Sequence, residues 1–361
     1  MIICHIITAL GYGGAEKLLV DLANIQAGKH EVHIIYLKDI TLLKPMFNPA
    51  ITFHRVDLDV SCASRLRATI KKIKPEVVHT HLGHADLIGL WAVRGLPLKR
   101  FCTMHNIWFK RNWLDNIIIF PLYSFLFRTV AKDCKVIAIS KSVARHCQQV
   151  LQVKPSNIVL LHNAIPDLAI NESREILRKK LSIPLSSFVL LFVGRLEKQK
   201  SVDTLIRATG IVKDKIPGLQ VLIIGDGRLR SSLQELASTT GLNDTIFFLG
   251  VRQNVAEYFS SSDVFVLPSI FEGFGIVIIE AFRSSVATIA TSIEGPAEII
   301  RDGENGLLFE PLDHEALADS ILKLYRDNEL RNRIAKNGHD SYLNKFDIGS
   351  YSAKIELVYS A

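Results

Sequence analysis

Long apolar runs are missing from this chain of 361 residues: no uninterrupted stretch reaches the ~20 residues that a bilayer span needs. The opening Met1-Ile2-Ile3-Cys4-His5-Ile6-Ile7 lacks a basic n-region and a small-residue cleavage site, so it is expected to enter the fold directly. Cysteine is sparse. The five (Cys4, Cys62, Cys102, Cys134, Cys147) are scattered without a C-x-x-C pair, which argues against a zinc site and a disulfide framework. A reduced, cytoplasmic protein is the expectation. Low-complexity segments and internal repeats are absent too, and 48% hydrophobic with 22% charged residues leaves no room for a disordered class.

What is present is a regular alternation. Strand-like runs at Ile2–Thr8, Glu31–Leu37, Val77–Thr80, Arg100–Met104, Lys135–Ile139 and Ile158–Leu161 are separated by helix-period stretches at Ala15–Ala27, Ala63–Lys74, Ala85–Arg94 and Lys141–Leu151. The pattern restarts with Phe188–Val193, Gln220–Ile224, Ile246–Leu249, Val264–Leu267, Thr288–Ala290 and Gly306–Phe309, with helices such as Val202–Lys215, Leu229–Thr239 and His314–Arg326 between. Apolar strands alternating with helices predict parallel, doubly wound α/β sheets. The length calls for two domains, with a seam near Asn163–Pro184: residues 1–165 form one Rossmann-like half and 166–345 the other. Two such halves are expected to face each other across a cleft, with ligands beyond the carboxyl ends of the strands.

Positive charge is concentrated. Residues 60–113 carry ten basic side chains against two acidic ones, a local excess of eight where the whole chain has a net charge of +7. Nearby, Trp108-Phe109-Lys110-Arg111-Asn112-Trp113 precedes an apolar stretch, Ile117–Arg128, interrupted by Pro121. Basic and aromatic residues beside an apolar helix predict peripheral contact with an anionic membrane surface through residues 60–128. A solvated basic face and an internal helix packed on a sheet are the plainer readings.

The residues that suggest chemistry sit at predicted strand ends. Phe192-Val193-Gly194-Arg195-Leu196-Glu197-Lys198-Gln199-Lys200 runs from an apolar strand to fixed positive charge at Arg195 and Lys200. Phe271-Glu272-Gly273-Phe274-Gly275-Ile276 leads into a helix that carries Glu280. Cationic side chains with glycine-exposed N–H groups at a helix start suit a diphosphate, and the glutamates suit sugar and ribose hydroxyls. If the whole segment were helical, the eight-residue spacing would set Glu272 and Glu280 about 12 Å apart and within about 80° of one another. The turns Gly225-Asp226-Gly227 and Gly250-Val251-Arg252 mark further strand ends, the second of which can meet a nucleotide base through its backbone. In the first half, Gly11-Tyr12-Gly13-Gly14 is a weak phosphate-turn candidate. His105 closes a strand, where it can hydrogen-bond a sugar hydroxyl or a main-chain carbonyl. His79-Thr80-His81-Leu82-Gly83-His84 would put His79 and His81 on one strand face with His84 swinging in, but no carboxylate or cysteine lies at ligand spacing, so no metal is expected there.

The order and spacing of these pieces resemble the retaining glycosyltransferases of family 4, of the GT-B fold, over nearly the whole chain. The likeness includes the late Gly295-Pro296-Ala297-Glu298 and Asn305-Gly306-Leu307-Leu308 segments. The resemblance implies that Arg195 and Lys200 hold the donor diphosphate. It implies that Glu272 with the Gly273, Phe274, Gly275 and Ile276 backbone binds sugar and phosphate, and that Glu280 binds the ribose. His105 would face the donor sugar, Gly13 and Gly14 would lie near phosphate and acceptor, and Gly194, Gly250 and Val251 would complete the donor pocket. No metal or other cofactor is implied, and a final helix at about 346–361 would cross back onto the amino-terminal, acceptor-binding half. Two positions depart from the family pattern: Ser201 follows Lys200 where glycine is common, and Ala164 follows Asn163 in the linker.

The expected activity is transfer of a hexosyl unit from a nucleoside-diphosphate sugar, UDP rather than GDP, with retention of configuration. A polyprenyl-diphosphate-linked or other glycan of bacterial polysaccharide synthesis is the expected acceptor. An epimerase-type enzyme on the same fold would act without an acceptor. A nucleic-acid or anionic-surface binding module would explain the basic stretch but not Glu272 and Glu280, so no nucleic-acid partner is expected.

Overall fold

The computed structural model describes residues 1–105, 120–168, 170 and 172–360. It divides into two units, Met1–Pro166 with Ile348–Ala361, and Asp167–Asp347.

In the first unit β1 (Ile2–Ile7), β2 (Glu31–Tyr36), β3 (Thr52–Arg55), β4 (Val77–His81), β5 (Lys99–Met104), β6 (Lys135–Ala138) and β7 (Ile158–Leu160) form one sheet in the order β3-β2-β1-β4-β5-β6-β7. Every pairing in it is parallel. The central strands are buried on both faces, with His5 in β1 and His79, Thr80 and His81 in β4 enclosed among the apolar residues. β3 has no counterpart in the sequence reading. It is a four-residue edge strand, Thr-Phe-His-Arg, exposed or half-buried throughout, so it lacks the apolar signature.

The helix Cys62–Ile73 shows how sequence sets a boundary. Cys62, Leu66 and Ile70 recur every four residues on its buried face, and the chain leaves the helix at Lys74 with a φ of 54° just before Pro75. The last helix, Ile348–Ser360, packs Tyr351, Ile355 and Tyr359 into the core with Ile3, Leu22, Val77 and Phe101. Lys99 Nζ donates to the terminal carbonyls of that helix at Tyr359 and Ser360, at 2.9 and 2.8 Å. Ala164 lies in the same core, 1% exposed, and its backbone is outside the left-handed region, so no glycine is needed there.

In the second unit β8 (Phe188–Val193), β9 (Leu219–Ile224), β10 (Ile246–Gly250), β11 (Val264–Leu267), β12 (Ala287–Thr291) and β13 (Leu307–Phe309) form a parallel sheet in the order β10-β9-β8-β11-β12-β13. Consecutive numbers part at β8–β11, which makes the ends of these two strands the switch point where α/β sheets collect ligands.

Two expectations change. Pro121 lies in the first described turn of the helix Phe120–Val130, and the helix runs on past it to Val130. The tryptophan-rich segment at 108–113 and residues 117–119 lie outside the described residues. The basic stretch is also less free than its count suggests. Arg65 pairs with Asp59, Arg67 donates to the carbonyls of Ala92 and Arg94, and Lys99 caps the last helix. Lys71, Lys72, Lys74 and Arg94 remain exposed. Among the described residues, no helix is long and apolar enough to cross a membrane.

Candidate active site

The second unit assembles its candidate residues by stitching neighbouring strand ends together. Gly194 N donates to Ile224 O at 3.0 Å, Leu196 N to Asp226 O at 3.0 Å, and Gly225 N to Gly250 O at 2.9 Å. The loops after β8, β9 and β10 therefore lie in backbone contact. Glycine is obligatory at this junction: Gly225 has a φ of 131°, and a Cβ there would lie 1.9 Å from Gly194 O. That is the structural content of the Gly225-Asp226-Gly227 turn.

The loop after β8 is joined to the loop after β11 in the same way. Ile270 N donates to Gln199 O at 2.8 Å, and Gln199 Nε2 donates to Phe271 O at 3.0 Å. This brings Lys200 to Glu272, and their side chains form a salt bridge with 13% and 10% exposure. Glu272 also accepts from Ser269 Oγ at 2.7 Å, and Ser269 O accepts from Thr291 Oγ1 at 2.6 Å, tying in β12. Arg195 is exposed and forms no salt bridge among the described residues. The electropositive pair is thus one side chain already held by a carboxylate and one open to solvent.

Ser201 explains how the chain tolerates a departure from glycine. It adopts a φ of 44° and a ψ of 49°, the left-handed conformation, and its hydroxyl meets Thr204 Oγ1 at 2.9 Å. The backbone shape is kept at a steric cost of about 1–2 kcal/mol.

Glu272 is not helical. It precedes Gly273, buried Phe274 and Gly275, whose φ of 101° makes it the N-cap of the helix Ile276–Arg283, while Glu280 rides on that helix, half-buried. The separation calculated for one continuous helix therefore does not apply. Gly295, beyond the end of the next strand β12, is what lets this turn sit down: a Cβ there would come within 2.7 Å of Glu272 O. Gly250 has a φ of 71°, and Val251 beside it is exposed. Gln199, Ser269, Thr291 and Gly295 were not singled out as parts of this arrangement from sequence. Only Gly295 carried a signal, through the segment it opens.

The first unit presents a different cluster. Gly13, extended with a φ of −152°, precedes the helix Gly14–Gln26 and adjoins the Glu16 carboxylate, which places Gly13 and Gly14 at the helix entry. His105, at the exit of β5, is buried. Its Nε2 lies 3.4 Å from His81 Nδ1, His81 Nε2 lies 3.1 Å from His5 Nδ1, and His5 Nε2 lies 2.7 Å from Gln26 Oε1. His79 bonds Tyr359 OH at 2.6 Å and Thr103 Oγ1 at 2.7 Å. His84 is exposed and takes no part, which corrects the picture of it swinging towards His79 and His81. Burial pushes His5 and His105 down to about 4 and His79 and His81 well below the usual imidazole range, so all four are neutral at neutral pH. Ligand atoms of His5, His79 and His81 lie within 4.8 Å of one another. Both nitrogens of His79 are engaged by Tyr359 and Thr103, however, so this trio presents hydrogen-bonding geometry rather than three free lone pairs.

Residues 12–167 match the family model described as Glycosyltransferase Family 4, and residues 173–341 match the one described as Glycosyl transferases group 1. The chain is 34% identical over 169 residues to the lipopolysaccharide core biosynthesis glycosyltransferase LpsE of Rhizobium meliloti. That match spans 47% of this chain and 48% of the relative, about half the length of each. It is 27% identical over 360 residues, covering 94% of both chains, to the N-acetylgalactosamine-N,N'-diacetylbacillosaminyl-diphospho-undecaprenol 4-alpha-N-acetylgalactosaminyltransferase of Campylobacter jejuni. In fold it is similar to Anabaena Alr3699/HepE, solved in complex with UDP, with a TM-score of 0.88 at 20% identity over 100% of each chain. Two successive parallel α/β sheets, the loops stitched beyond their strand ends and these matches along both halves agree: the chain belongs to the family 4, group 1 glycosyltransferases and has the GT-B fold.

Proposed function

We propose that this glycosyltransferase moves a hexosyl unit, with retention of configuration, from a UDP-sugar to a lipid-diphosphate-linked glycan in bacterial surface-polysaccharide synthesis. The observation that carries the reading is the stitched rim of the second unit, which joins Lys200, Glu272 and the glycine turn before Ile276 at the β8–β11 switch point. The Campylobacter relative's name supports the acceptor class, and the UDP bound to the Anabaena structure supports the base.

In this reading Arg195 and Lys200 neutralise the departing diphosphate, together with N–H groups at the start of the helix Ile276–Arg283. Donor entry transfers Lys200 from Glu272 to phosphate, and Glu272, still held by Ser269, turns its acceptor capacity to sugar hydroxyls. Glu280 is assigned to the ribose, Gly194, Gly250 and Val251 to the nucleotide, and His105 to a hydroxyl of the transferred sugar. Residues 1–165 are assigned to the acceptor and 166–345 to the donor. The exposed Leu122 and Phe125 of the helix Phe120–Val130, with Lys71, Lys72 and Lys74, support peripheral contact with an anionic membrane at which such an acceptor resides.

The test is a thermal-shift titration against UDP, GDP, ADP and a neutral sugar without added metal. A ligand at 100 times its Kd stabilises by about 2.7 kcal/mol. Stabilisation by UDP alone is the expected result. A response to none of the nucleotides removes the donor pocket, and a response to GDP or ADP instead changes the donor.

A further inference from the structure

Three of the four imidazoles in this cluster stand in single file from Gln26 on the helix Gly14–Gln26 to the exit of β5. The proton positions along this file follow from one end. Gln26 Oε1 offers only lone pairs, so His5 donates to it from Nε2 at 2.7 Å. A neutral imidazole with its proton on Nε2 has a bare Nδ1, and this accepts from His81 Nε2 at 3.1 Å. The same step repeats: His81 Nδ1 is bare and accepts from His105 Nε2 at 3.4 Å. His105 is then left with a bare Nδ1, which has no hydrogen-bond partner among the described residues. Burial keeps all three rings neutral at pH 7, so each carries a single proton. Among the described residues, no carboxylate or cation bonds to the file. Its lateral neighbour His79 is occupied by Tyr359 and Thr103 and is itself neutral.

We propose that Gln26, His5 and His81 are positioning residues that lock His105 in its Nε2–H tautomer, so that Nδ1 meets the transferred sugar solely as an acceptor of a hydroxyl proton. The proposal rests on the assignment of His105 to that sugar. An unlocked imidazole divides between two tautomers, and only one can accept at Nδ1. The direction of the file hangs on the amide of Gln26. Turned by 180°, it would donate to His5 and reverse every bond, and His105 would present Nδ1–H instead, suited to a carbonyl or phosphate oxygen. A side chain three hydrogen bonds away thus decides whether the site favours a hydroxyl or an oxygen without a proton.

The experiment uses the full-length chain labelled with ¹⁵N-histidine and long-range ¹H–¹⁵N correlation spectra, with His105 assigned by its loss in His105→Gln. In the wild type His105 is expected to show protonated Nε2 and bare Nδ1. In Gln26→Leu the same signals are expected to average between tautomers, and turnover at saturating donor to fall about tenfold with the donor KM changed less than twofold. A wild-type His105 that is protonated at Nδ1 or mixed overturns the proposal, whether or not any variant folds. So does a Gln26→Leu protein with an unchanged His105 pattern. The assignment of His105 fails separately: full turnover in His105→Ala, with the wild-type tautomer locked, removes the sugar contact and leaves the file intact.

Discussion

On its central strands the first unit carries neutral imidazoles, while the second carries charge beyond its strand ends. His5, His79 and His81 lie on the adjacent strands β1 and β4, with His105 at the exit of β5, all buried and bonded mainly to one another, to Gln26, Tyr359 and Thr103. At the equivalent ends of β8 and β11 stand exposed Arg195 and the Lys200–Glu272 pair, supported by backbone bonds between loops. Both are parallel sheets of similar size, so the difference does not come from topology. It comes from solvent. Around the enclosed imidazoles only uncharged partners persist, and where the rim stays open ions and glycine-exposed N–H groups persist, ready for a charged ligand.

The strongest way to break this comparison is to remove charge from the second unit. Lys200→Ala is expected to lower kcat by about 10²–10³-fold, the size of losing one preorganised electrostatic group. It should also lower the melting temperature, because Glu272 keeps only Ser269. Circular dichroism separates the two effects, and near-normal turnover in the folded variant ends the phosphate assignment.

Next in size is the acid response of the first unit. His5 and His105 fall from 6.5 to about 4 on folding, so between those values the unfolded chain binds more protons. Their contribution is complete above pH 6.5 and is lost as pH falls towards 4. All three tryptophans, Trp91, Trp108 and Trp113, belong to the first unit, so urea unfolding followed by tryptophan fluorescence reads it selectively. A flat midpoint from pH 6.5 to 4.5 contradicts the neutral-cluster picture.

Asp86 sharpens the same measurement with the opposite sign. It is buried, its Oδ1 has no hydrogen-bond partner, and burial raises it from 3.8 to about 6. In that window the folded state binds more protons, so Asp86 costs stability as pH rises. Asp86→Asn is expected to steepen the gain between pH 4 and 6 and to raise the urea midpoint at pH 7.5. An unchanged slope would falsify that account.

The smallest effect belongs to Ser201. Ser201→Gly relieves a left-handed backbone but gives up the contact with Thr204 and frees the unfolded chain. A net gain of less than about 1 kcal/mol is expected, read as a small rise in melting temperature. A loss of stability would mean that the hydroxyl bonds outweigh the strain.

Much of the fold was legible because β8 and β11 are apolar on both faces, and His314–Arg326 coincides with its helical period from end to end. β3 was not legible, since an edge strand needs no apolar run. The candidate site divides similarly. Arg195, Lys200 and Glu272 stood out as charge beside glycine. Ser269 and Thr291 did not, because a hydroxyl that supports a carboxylate looks like any other hydroxyl in sequence.

Residue order alone specified the alternation of strands and helices, the two sheets and the positions where glycine and charge follow a strand, because each is written in neighbouring residues. Only tertiary structure paired β1 with β4 in the register that sets His5 opposite His79, brought Lys200 to a carboxylate 72 positions away, and put Ser201 in a glycine's conformation. Those outcomes depend on burial and on contacts between distant segments, and local sequence carries neither.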